Sequence, residues 1–256
     1  MLRRWVSALG RLAAAPLVAA GFLTVLPVPA PRSLAMGPMG WPVACFPLAG
    51  ATLAAVVAAV GVVLDLWLPP QAVAPLLIAS LLAITGALHL DGLIDSFDGL
   101  FGGRDPADRR TIMKDSRVGS FGLAAAGSML LTEYGALVAM PVEARSLVLV
   151  AAGALSRWAM VATLWGFPAA GSKGLAAGLK PHLRWIHAAV ATLLAATIAL
   201  GAMGWAGGAA MAIACLLVGL GGRLAVARLG GITGDICGGL GQMVEAAVLL
   251  VAVAAW

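Results

Sequence analysis

Residues 186–227 have the sequence IHAAVATLLAATIALGAMGWAGGAAMAIACLLVGLGGRLAVA, and Arg223 is the only lysine, arginine, aspartate or glutamate among them. A helix needs about 20 mostly apolar residues to cross the hydrocarbon core of a bilayer. We divide this stretch into two such segments, 186–204 and 207–227. Together they predict a pair of membrane-spanning helices, and segments of the same kind occur along most of the chain.

The composition of the whole chain agrees with a membrane location. Of its 256 residues, 62% are hydrophobic and 11% are charged, with a mean hydropathy of +1.01, whereas a soluble domain is about 45–50% apolar and about 25% charged. These values exclude an intrinsically disordered chain. Cys45, Cys215 and Cys237 are far apart and lie in or beside apolar segments, which excludes a disulfide scaffold.

The predicted fold is an all-α integral membrane protein, a polytopic bundle of about seven transmembrane helices in a single domain over residues 1–256. Periodicity adds little, since the segments are apolar nearly all round. The predicted spans are 44–68, 71–90, 121–140, 146–167, 186–204, 207–227 and 241–256.

The N-terminal stretch supports two interpretations. Arg3-Arg4 and the apolar run that follows as far as Ala30 resemble a signal peptide. However, Arg11 interrupts the run, and the segment 27–29 is a poor cleavage region. We therefore expect an interfacial or re-entrant helix that is retained in the mature protein.

Lysines and arginines predict the orientation, because cytoplasmic loops are enriched in them. The segment 101–120 contains Arg104, Arg109, Arg110, Lys114 and Arg117, so we expect it on the cytoplasmic side. Alternation across the predicted spans puts these on the same side: Lys173, Lys180, Arg184, Arg223, Arg228, Arg3, Arg4, Arg11 and Arg32. The opposite loops carry only Arg145. The net charge of +5 therefore indicates membrane orientation and not nucleic-acid binding.

Three of the 11 acidic residues lie close together, at Asp91, Asp95 and Asp98. On a helix their spacing places them within about 60° of arc, where like charges repel, and each costs roughly 2.5–3.5 kcal/mol near the centre of a bilayer. A bound cation removes this penalty, and oxygen ligands suit Mg²⁺ or Mn²⁺. The alternative is a solvated helix end, for which Gly92 and Gly99 are poor residues.

A basic stretch follows the acidic one. It brings Lys114, Asp115 and Arg117 together and ends in Gly119 and Gly122. Cations beside a metal-binding acidic face are suited to a polyphosphate, because arginine forks onto phosphate oxygens that metal ions bridge. The alternative is a basic loop that serves membrane topology alone.

A third polar segment, residues 230–245, contains Asp235 and Glu245, the only acids after Glu143. Its glycines let the backbone approach a ligand or a neighbouring helix. Asp235 could complete the coordination of a metal ion or serve as a base. The alternative is a set of helix-packing glycines with one capping aspartate.

Two further polar residues lie near or inside predicted spans. Arg157 is intramembrane, which favours a functional site or a pair with a carboxylate of the bundle. His89 precedes the acidic residues, where a lone histidine more often supports a site than ligates a metal. The sequence contains no Ser-His-Asp pattern, phosphate-binding GxxxxGK[ST] loop or Cys/His metal spacing.

Three motifs stand out along the chain: LHLDGLIDSFDGL at 88–100, IMKDSRVGSFG at 112–122 and GITGDICG at 231–238. In this order and spacing, they resemble the cobalamin synthase family, also called adenosylcobinamide-GDP ribazoletransferases. FLTVLPVP at 22–29 and FPLAG at 46–50 extend the resemblance over nearly the whole chain.

The resemblance implies a multi-pass enzyme of the cell inner membrane with its active site facing the cytoplasm. Such enzymes use Mg²⁺ to join adenosylcobinamide-GDP to α-ribazole or its 5′-phosphate. The products are adenosylcobalamin, or its 5′-phosphate, and GMP, in the last steps of nucleotide-loop assembly of vitamin B12. The lipid bilayer is then a partner, and assembly into a homo-oligomer stays open.

We predict a role for each candidate residue in this reaction. Asp91, Asp95, Asp98 and Asp235 would hold one or two Mg²⁺ ions. Lys114 and Arg117 would clamp phosphate oxygens, and Asp98 or Asp115 would take the proton of the attacking ribose hydroxyl. The candidates for substrate binding are His89, Arg157, Thr233, Gly234 and Glu245.

Other membrane proteins also use aspartate-rich helices. A CDP-alcohol phosphotransferase would have a second aspartate motif on the next helix, but residues 119–132 contain no aspartate. A UbiA-type prenyltransferase would likewise need a second aspartate-rich motif. A cation-coupled transporter would carry charges near the midplane and inverted repeats, whereas here the charges gather at one predicted face.

Overall fold

The structure is a computed structural model that describes residues 2–29 and 38–256, with side chains from residue 12 onward. Within these residues the regular elements are helices. One isolated β-bridge pairs two loop residues, Ala169 and Ile232. The α-helices are α1 Leu2–Leu23, α2 Gly40–Ala44, α3 Phe46–Leu64, α4 Pro70–Thr85, α5 Leu88–Gly102, α6 Pro106–Ile112, α7 Ser120–Ala139, α8 Val142–Gly166, α9 Leu175–Leu179, α10 Trp185–Met203, α11 Trp205–Leu229 and α12 Gly234–Ala255.

In the described part of the chain, six helices are long and apolar enough to cross a membrane: α3, α7, α8, α10, α11 and α12. A seventh crossing results if α4 and α5, which meet at an angle of 88°, together form one broken span. These helices confirm the predicted all-α polytopic membrane fold, and the bent pair would bring the six spans to the seven that were predicted.

The bend between α4 and α5 corrects the predicted span 71–90. Gly86 and Ala87 both have left-handed backbone conformations, with φ of 61° and 56°, so α4 ends at Thr85 and the chain turns sharply before α5. The predicted span 241–256 also needs correction, because α12 begins at Gly234. It begins there because the side-chain oxygen of Thr233 accepts a hydrogen bond from the N–H of Ile236 at 3.2 Å and so caps the helix.

Helix α1 lies in the N-terminal stretch for which an interfacial or re-entrant helix was predicted, and its fully described part, Leu12–Leu23, is a shorter apolar helix. Its second half packs on α3, where Phe22 stacks on Phe46 with the ring centroids 5.4 Å apart. Just after the helix, the N–H of Val25 donates to the carbonyl of Ile84 at 3.0 Å, which ties this segment to the end of α4.

Helix α8 lies at the centre of the bundle and is buried along most of its length. Gly153 of α8 faces Gly50 of α3, and a Cβ atom on either glycine would collide with the backbone of the other. This close approach of two helices through small residues is typical of membrane bundles.

Two loops rich in lysine and arginine, residues 103–119 and 167–184, meet the loop 230–233 at one end of the bundle, which we call the basic end. Ala169 and Ile232 form a parallel bridge between two of these loops. At the opposite end, Arg145 pairs with Asp65 at 2.8 Å. The side chains of Arg3, Arg4, Arg11 and Arg32, predicted to lie with the basic loops, fall outside the described residues.

Candidate active site

A cavity of about 530 Å³, which we call the basic pocket, opens at the basic end. Its polar lining comes from the basic loops and the first turn of α12, and Leu88, Met113 and Met160 supply apolar surface. The polar side chains and helix-end residues of the lining include Arg110, Lys114, Lys173, Thr233, Gly234 and Asp235. A cavity of this size is typical of a small-molecule site.

Two lysines supply positive charge to the basic pocket. In the described residues, neither Lys114 nor Lys173 has a side-chain hydrogen bond or a salt bridge to another protein group, so both ammonium groups are available to a ligand. Arg110 is engaged differently, because its Nη1 donates to the carbonyls of Leu229 at 2.7 Å and Ala170 at 3.3 Å. Arg110 therefore holds two walls of the pocket together.

Other cations of the basic end also hold backbone carbonyls. Lys180 Nζ donates to Leu164 at 2.9 Å and to Phe167 at 2.7 Å, at the C-terminal end of α8. Burial lowers the pKa of this ammonium group. Arg109 and Arg228 each donate to the carbonyl of Leu100 at 2.8 Å. These contacts satisfy the carbonyls that helix ends leave free.

The N-terminus of α12 forms a further positive wall. This helix of 22 residues begins at Gly234, and the free N–H groups of a helix start carry a partial positive charge that attracts anions. The loop before it is fixed by Ile232, whose N–H donates to Pro168 at 2.8 Å and whose carbonyl accepts from Ala170 at 2.9 Å. Gly231 permits this pairing, since a Cβ atom there would lie 2.5 Å from Ala169.

The structure brings Asp235 beside the acidic helix α5. A Cβ atom on Gly92 would lie only 2.8 Å from the carbonyl oxygen of Asp235, and one on Gly239 only 3.0 Å from Leu93. The charges of Asp91, Asp98 and Asp235 all act on Asp95. Asp235, which is far from the other three in sequence, therefore joins Asp91, Asp95 and Asp98 in one acidic region and links this region to the basic pocket.

Asp98 is the most enclosed of these acids, with 7% of its surface exposed. Its Oδ2 accepts a hydrogen bond from the N–H of Gly119 at 2.7 Å, and its Oδ1 accepts one from Gly122 at 2.8 Å. Both oxygens therefore bind the start of α7, a contact that the sequence did not indicate.

Asp115 and Arg117 bind each other at the protein surface. Arg117 Nη2 lies 2.6 Å from Asp115 Oδ2, and its Nε lies 3.0 Å from Oδ1. These hydrogen bonds from the guanidinium group lower the pKa of Asp115 to about 2. Neither side chain lines the basic pocket, whereas Lys114, with which they were predicted to act, does.

Three predicted substrate-binding residues lie instead in a buried polar cluster: His89, Arg157 and Glu245. Arg157 pairs with Glu245 at 2.6 Å. The cluster also contains Glu133 and Gln242, joined by a hydrogen bond of 2.6 Å, which the sequence analysis missed. Glu133 could have been found, because an acid inside a predicted span is itself a signal. None of the five lines the basic pocket.

A bundle of membrane-spanning helices with a cationic pocket beside clustered carboxylates is typical of a membrane protein that acts on phosphorylated ligands. The chain belongs to the cobalamin-5-phosphate synthase family, whose model matches residues 15–253. This confirms the resemblance found in the sequence and the class of enzyme that it implies, a transferase of cobalamin biosynthesis.

Curated relatives agree with this membership. A protein of Ralstonia pickettii named adenosylcobinamide-GDP ribazoletransferase is 36% identical over 247 residues, which is 93% of this chain and 94% of the relative. Proteins of the same name from Ralstonia nicotianae and Desulfitobacterium hafniense are 38% and 34% identical, covering 93% and 91% of this chain and 94% of each relative. No solved structure matches the chain.

Proposed function

We propose that the chain transfers the adenosylcobinamide phosphate group of adenosylcobinamide-GDP to the 3′-hydroxyl of α-ribazole or its 5′-phosphate, and that the basic pocket is where this occurs. The observation that carries the proposal is the position of Asp235, which lines a pocket with two unpaired lysines and also adjoins the acidic face of α5. The two substrates follow from the names of the relatives.

The diphosphate bridge of the substrate is anionic and needs positive partners. Lys114 and Lys173 would each donate to its oxygens, and the N–H groups at the start of α12 would add a third contact. Because all three belong to different parts of the chain, they would hold the bridge in one orientation. Thr233 and Gly234, predicted to bind substrate, belong to this wall.

The acidic face offers the hard oxygen ligands that Mg²⁺ prefers. In the part of the chain that the structure describes, no group of three or more His, Cys, Asp or Glu side chains is arranged to hold a metal ion. Mg²⁺ commonly takes only one or two protein carboxylates, together with waters and substrate phosphates, so Asp91 and Asp95 suffice. When bound, the ion would offset the negative charge that develops on the leaving phosphate.

In the reaction, the ribose 3′-oxygen attacks the phosphorus on the corrinoid side of the bridge. A new P–O bond forms, the bond to the GMP oxygen breaks, and GMP leaves with that electron pair. Asp235 would take the proton of the 3′-hydroxyl, because it is the acid that lines the pocket among the described residues. A positioned base of this kind contributes about 10²–10⁴-fold.

The two bases predicted from the sequence are less suited to this step. Asp115 has a pKa of about 2 because it binds Arg117, which makes it a weak base near neutral pH. Both oxygens of Asp98 already accept backbone hydrogen bonds. These contacts favour Asp235 over both.

We also propose that the protein lies in the cell inner membrane with the basic pocket toward the cytoplasm. The basic end carries most of the lysines and arginines, and the one arginine of the opposite loops is paired with Asp65. This asymmetry is typical of cytoplasmic loops.

The proposal is tested by the release of GMP from adenosylcobinamide-GDP by the purified protein, with and without α-ribazole and with and without Mg²⁺. We expect release only when both are present, in step with formation of the cobalamin product. Mg²⁺ transport by the protein in liposomes, without any GMP release, would favour the transporter.

A further inference from the structure

Asp98 accepts hydrogen bonds from two backbone N–H groups at the start of α7 and, among the residues that the structure describes, from no side chain. We propose that Asp98 is a positioning residue: its carboxylate holds the start of α7 against α5 and so fixes the segment 113–119, which carries Lys114 at the basic pocket. This inference rests on the proposed function, and it gives the third aspartate of the motif a task other than binding the metal or taking the proton.

The hydrogen bonds made by Asp98 are of a kind that helices need. The first N–H groups of an α-helix have no partner within the helix. Gly119 is the residue that precedes α7, and Gly122 lies in its first turn. Asp98 satisfies both of these N–H groups from a different helix, one with each of its side-chain oxygens.

The two glycines permit this contact. A Cβ atom on Gly119 would collide with the Asp98 carboxylate, and one on Gly122 would lie 2.5 Å from Oδ2. Gly127, on the same helix, faces open space. The glycines at 119 and 122 therefore form one unit with Asp98, although more than 20 residues separate them in sequence.

Gly99, the residue after Asp98 in α5, fixes the other end of the segment 113–119. Gly99 packs against Met113, whose side chain is buried, and a Cβ atom on Gly99 would lie 3.0 Å from the carbonyl of Arg109. Asp98 and Gly99 thus hold the segment 113–119 at both ends. Lys114 comes directly after the first attachment, so its position depends on this segment staying in place.

The positioning role and a metal-ligand role predict different results. If Asp98 ligates Mg²⁺, its loss should raise the Mg²⁺ concentration needed for half-maximal activity. If it holds the segment, its loss should free the amides of Gly119 and Gly122 and weaken the contact of Lys114 with substrate, while the Mg²⁺ requirement stays the same.

The experiment compares the full-length wild-type protein with Asp98→Asn and Gly122→Ala, and uses Gly127→Ala as the matched control. Amide hydrogen exchange of the 119–122 segment is measured without substrate, by mass spectrometry. The KM for adenosylcobinamide-GDP and the half-saturating Mg²⁺ concentration are measured in parallel, and thermal unfolding reports the folded fraction.

We expect exchange of this segment to be at least about tenfold faster in Asp98→Asn and Gly122→Ala, as the loss of a hydrogen bond to a charged group allows. The KM should rise in both, and Asp98→Asn should add little to it when Lys114 is already alanine. The Mg²⁺ requirement should stay within about twofold of wild type. Gly127→Ala should match the wild type in every measurement.

Unchanged exchange in Asp98→Asn, or a Mg²⁺ requirement raised about tenfold or more, would overturn the positioning role. The exchange measurement needs no substrate, so it decides whether Asp98 holds α7 even if the wild-type protein releases no GMP. Absence of GMP release by the wild type would instead contradict the proposed function.

Discussion

At the scale of single residues, the surroundings of each aspartate set what it can do. Asp98 gives both of its oxygens to the backbone of α7, and Asp115 is held by Arg117. Asp235 lines the basic pocket, while Asp91 is exposed on α5. In the proposed mechanism these acids therefore divide three tasks, which are metal binding, proton transfer and support of a loop.

This division predicts that Asp91→Asn and Asp235→Asn lose activity in different ways. Asp91→Asn should raise the half-saturating Mg²⁺ concentration, because it removes a ligand, and added Mg²⁺ should restore part of the turnover. Asp235→Asn should lower kcat by about 10²–10⁴-fold at every Mg²⁺ concentration, because it removes the base. Steady-state GMP release across a Mg²⁺ series measures both, and rescue of Asp235→Asn by Mg²⁺ would assign Asp235 to the metal.

The lysines of the basic pocket should affect substrate binding. Lys114→Ala and Lys173→Ala should each raise the KM for adenosylcobinamide-GDP about tenfold or more, because each removes a hydrogen bond from a charged donor. Added Mg²⁺ should not rescue either variant. Arg104→Ala is the control, since Arg104 is exposed at the same end but does not line the pocket. If all three variants raise the KM equally, the lysines act only through long-range electrostatic attraction of the anionic substrate and not through contact with it.

At the scale of the helices, close contact between α5 and α12 builds the acidic region. Gly92 lies against the backbone of Asp235, and Gly239 lies against Leu93. Backbone atoms cannot move aside as a flexible side chain can, so the spacing of the two helices depends on these glycines. The position of Asp235 relative to Asp91 and Asp95 follows from this spacing.

Gly92→Ala should therefore lower turnover, by about a hundredfold if the first turn of α12 shifts by about 1 Å. The added methyl group would lie 2.8 Å from the carbonyl oxygen of Asp235. We expect the variant to insert and purify, because alanine is apolar and leaves the hydropathy of the helices favourable for insertion. Gly127→Ala, whose methyl group meets open space, controls for the effect of alanine in a helix. Wild-type turnover of folded Gly92→Ala would show that this spacing does not matter.

Sequence reasoning reached much of this arrangement through local signals. Hydropathy predicted the spanning helices, and Gly92 and Gly99 stood out as poor residues for a helix kept only for stability; both lie at close helix contacts. The bend at Ala87 could not be predicted, because a left-handed conformation at an alanine is rarely signalled by sequence. The hydrogen bonds of Asp98 could not be predicted either, because they depend on how the start of α7 packs against α5.

At the scale of the whole molecule, charge is distributed unequally between the two ends of the bundle. The basic end carries lysines and arginines from two loops and from the end of α11, while Arg145 at the opposite end is neutralised by Asp65. Such a distribution favours one orientation in the membrane. It also attracts anionic substrates toward the pocket.

The orientation is tested by cysteines placed at Ala107, Leu175 and Trp205 in a chain whose own three cysteines have been replaced. Ala107 and Leu175 are exposed at the basic end, and Trp205 is exposed at the opposite end. An impermeant maleimide added outside intact spheroplasts should label position 205 and miss the other two until the membrane is opened. Labelling of 107 and 175 from outside, with 205 protected, would reverse the orientation.

The proposed mechanism requires that the phosphorylated substrate bind in the basic pocket. Ser172, which lines the pocket, and Ser116, which is exposed at the same end outside it, can each be changed to cysteine in the same cysteine-free chain. The measurement is the rate of maleimide labelling with and without adenosylcobinamide-GDP in the presence of Mg²⁺. We predict that substrate slows labelling at position 172 at least about fivefold, since a bound ligand buries most of such a pocket, and leaves position 116 unchanged. Equal labelling of Ser172→Cys with and without saturating substrate, in protein that still releases GMP, would show that the substrate does not bind in the basic pocket.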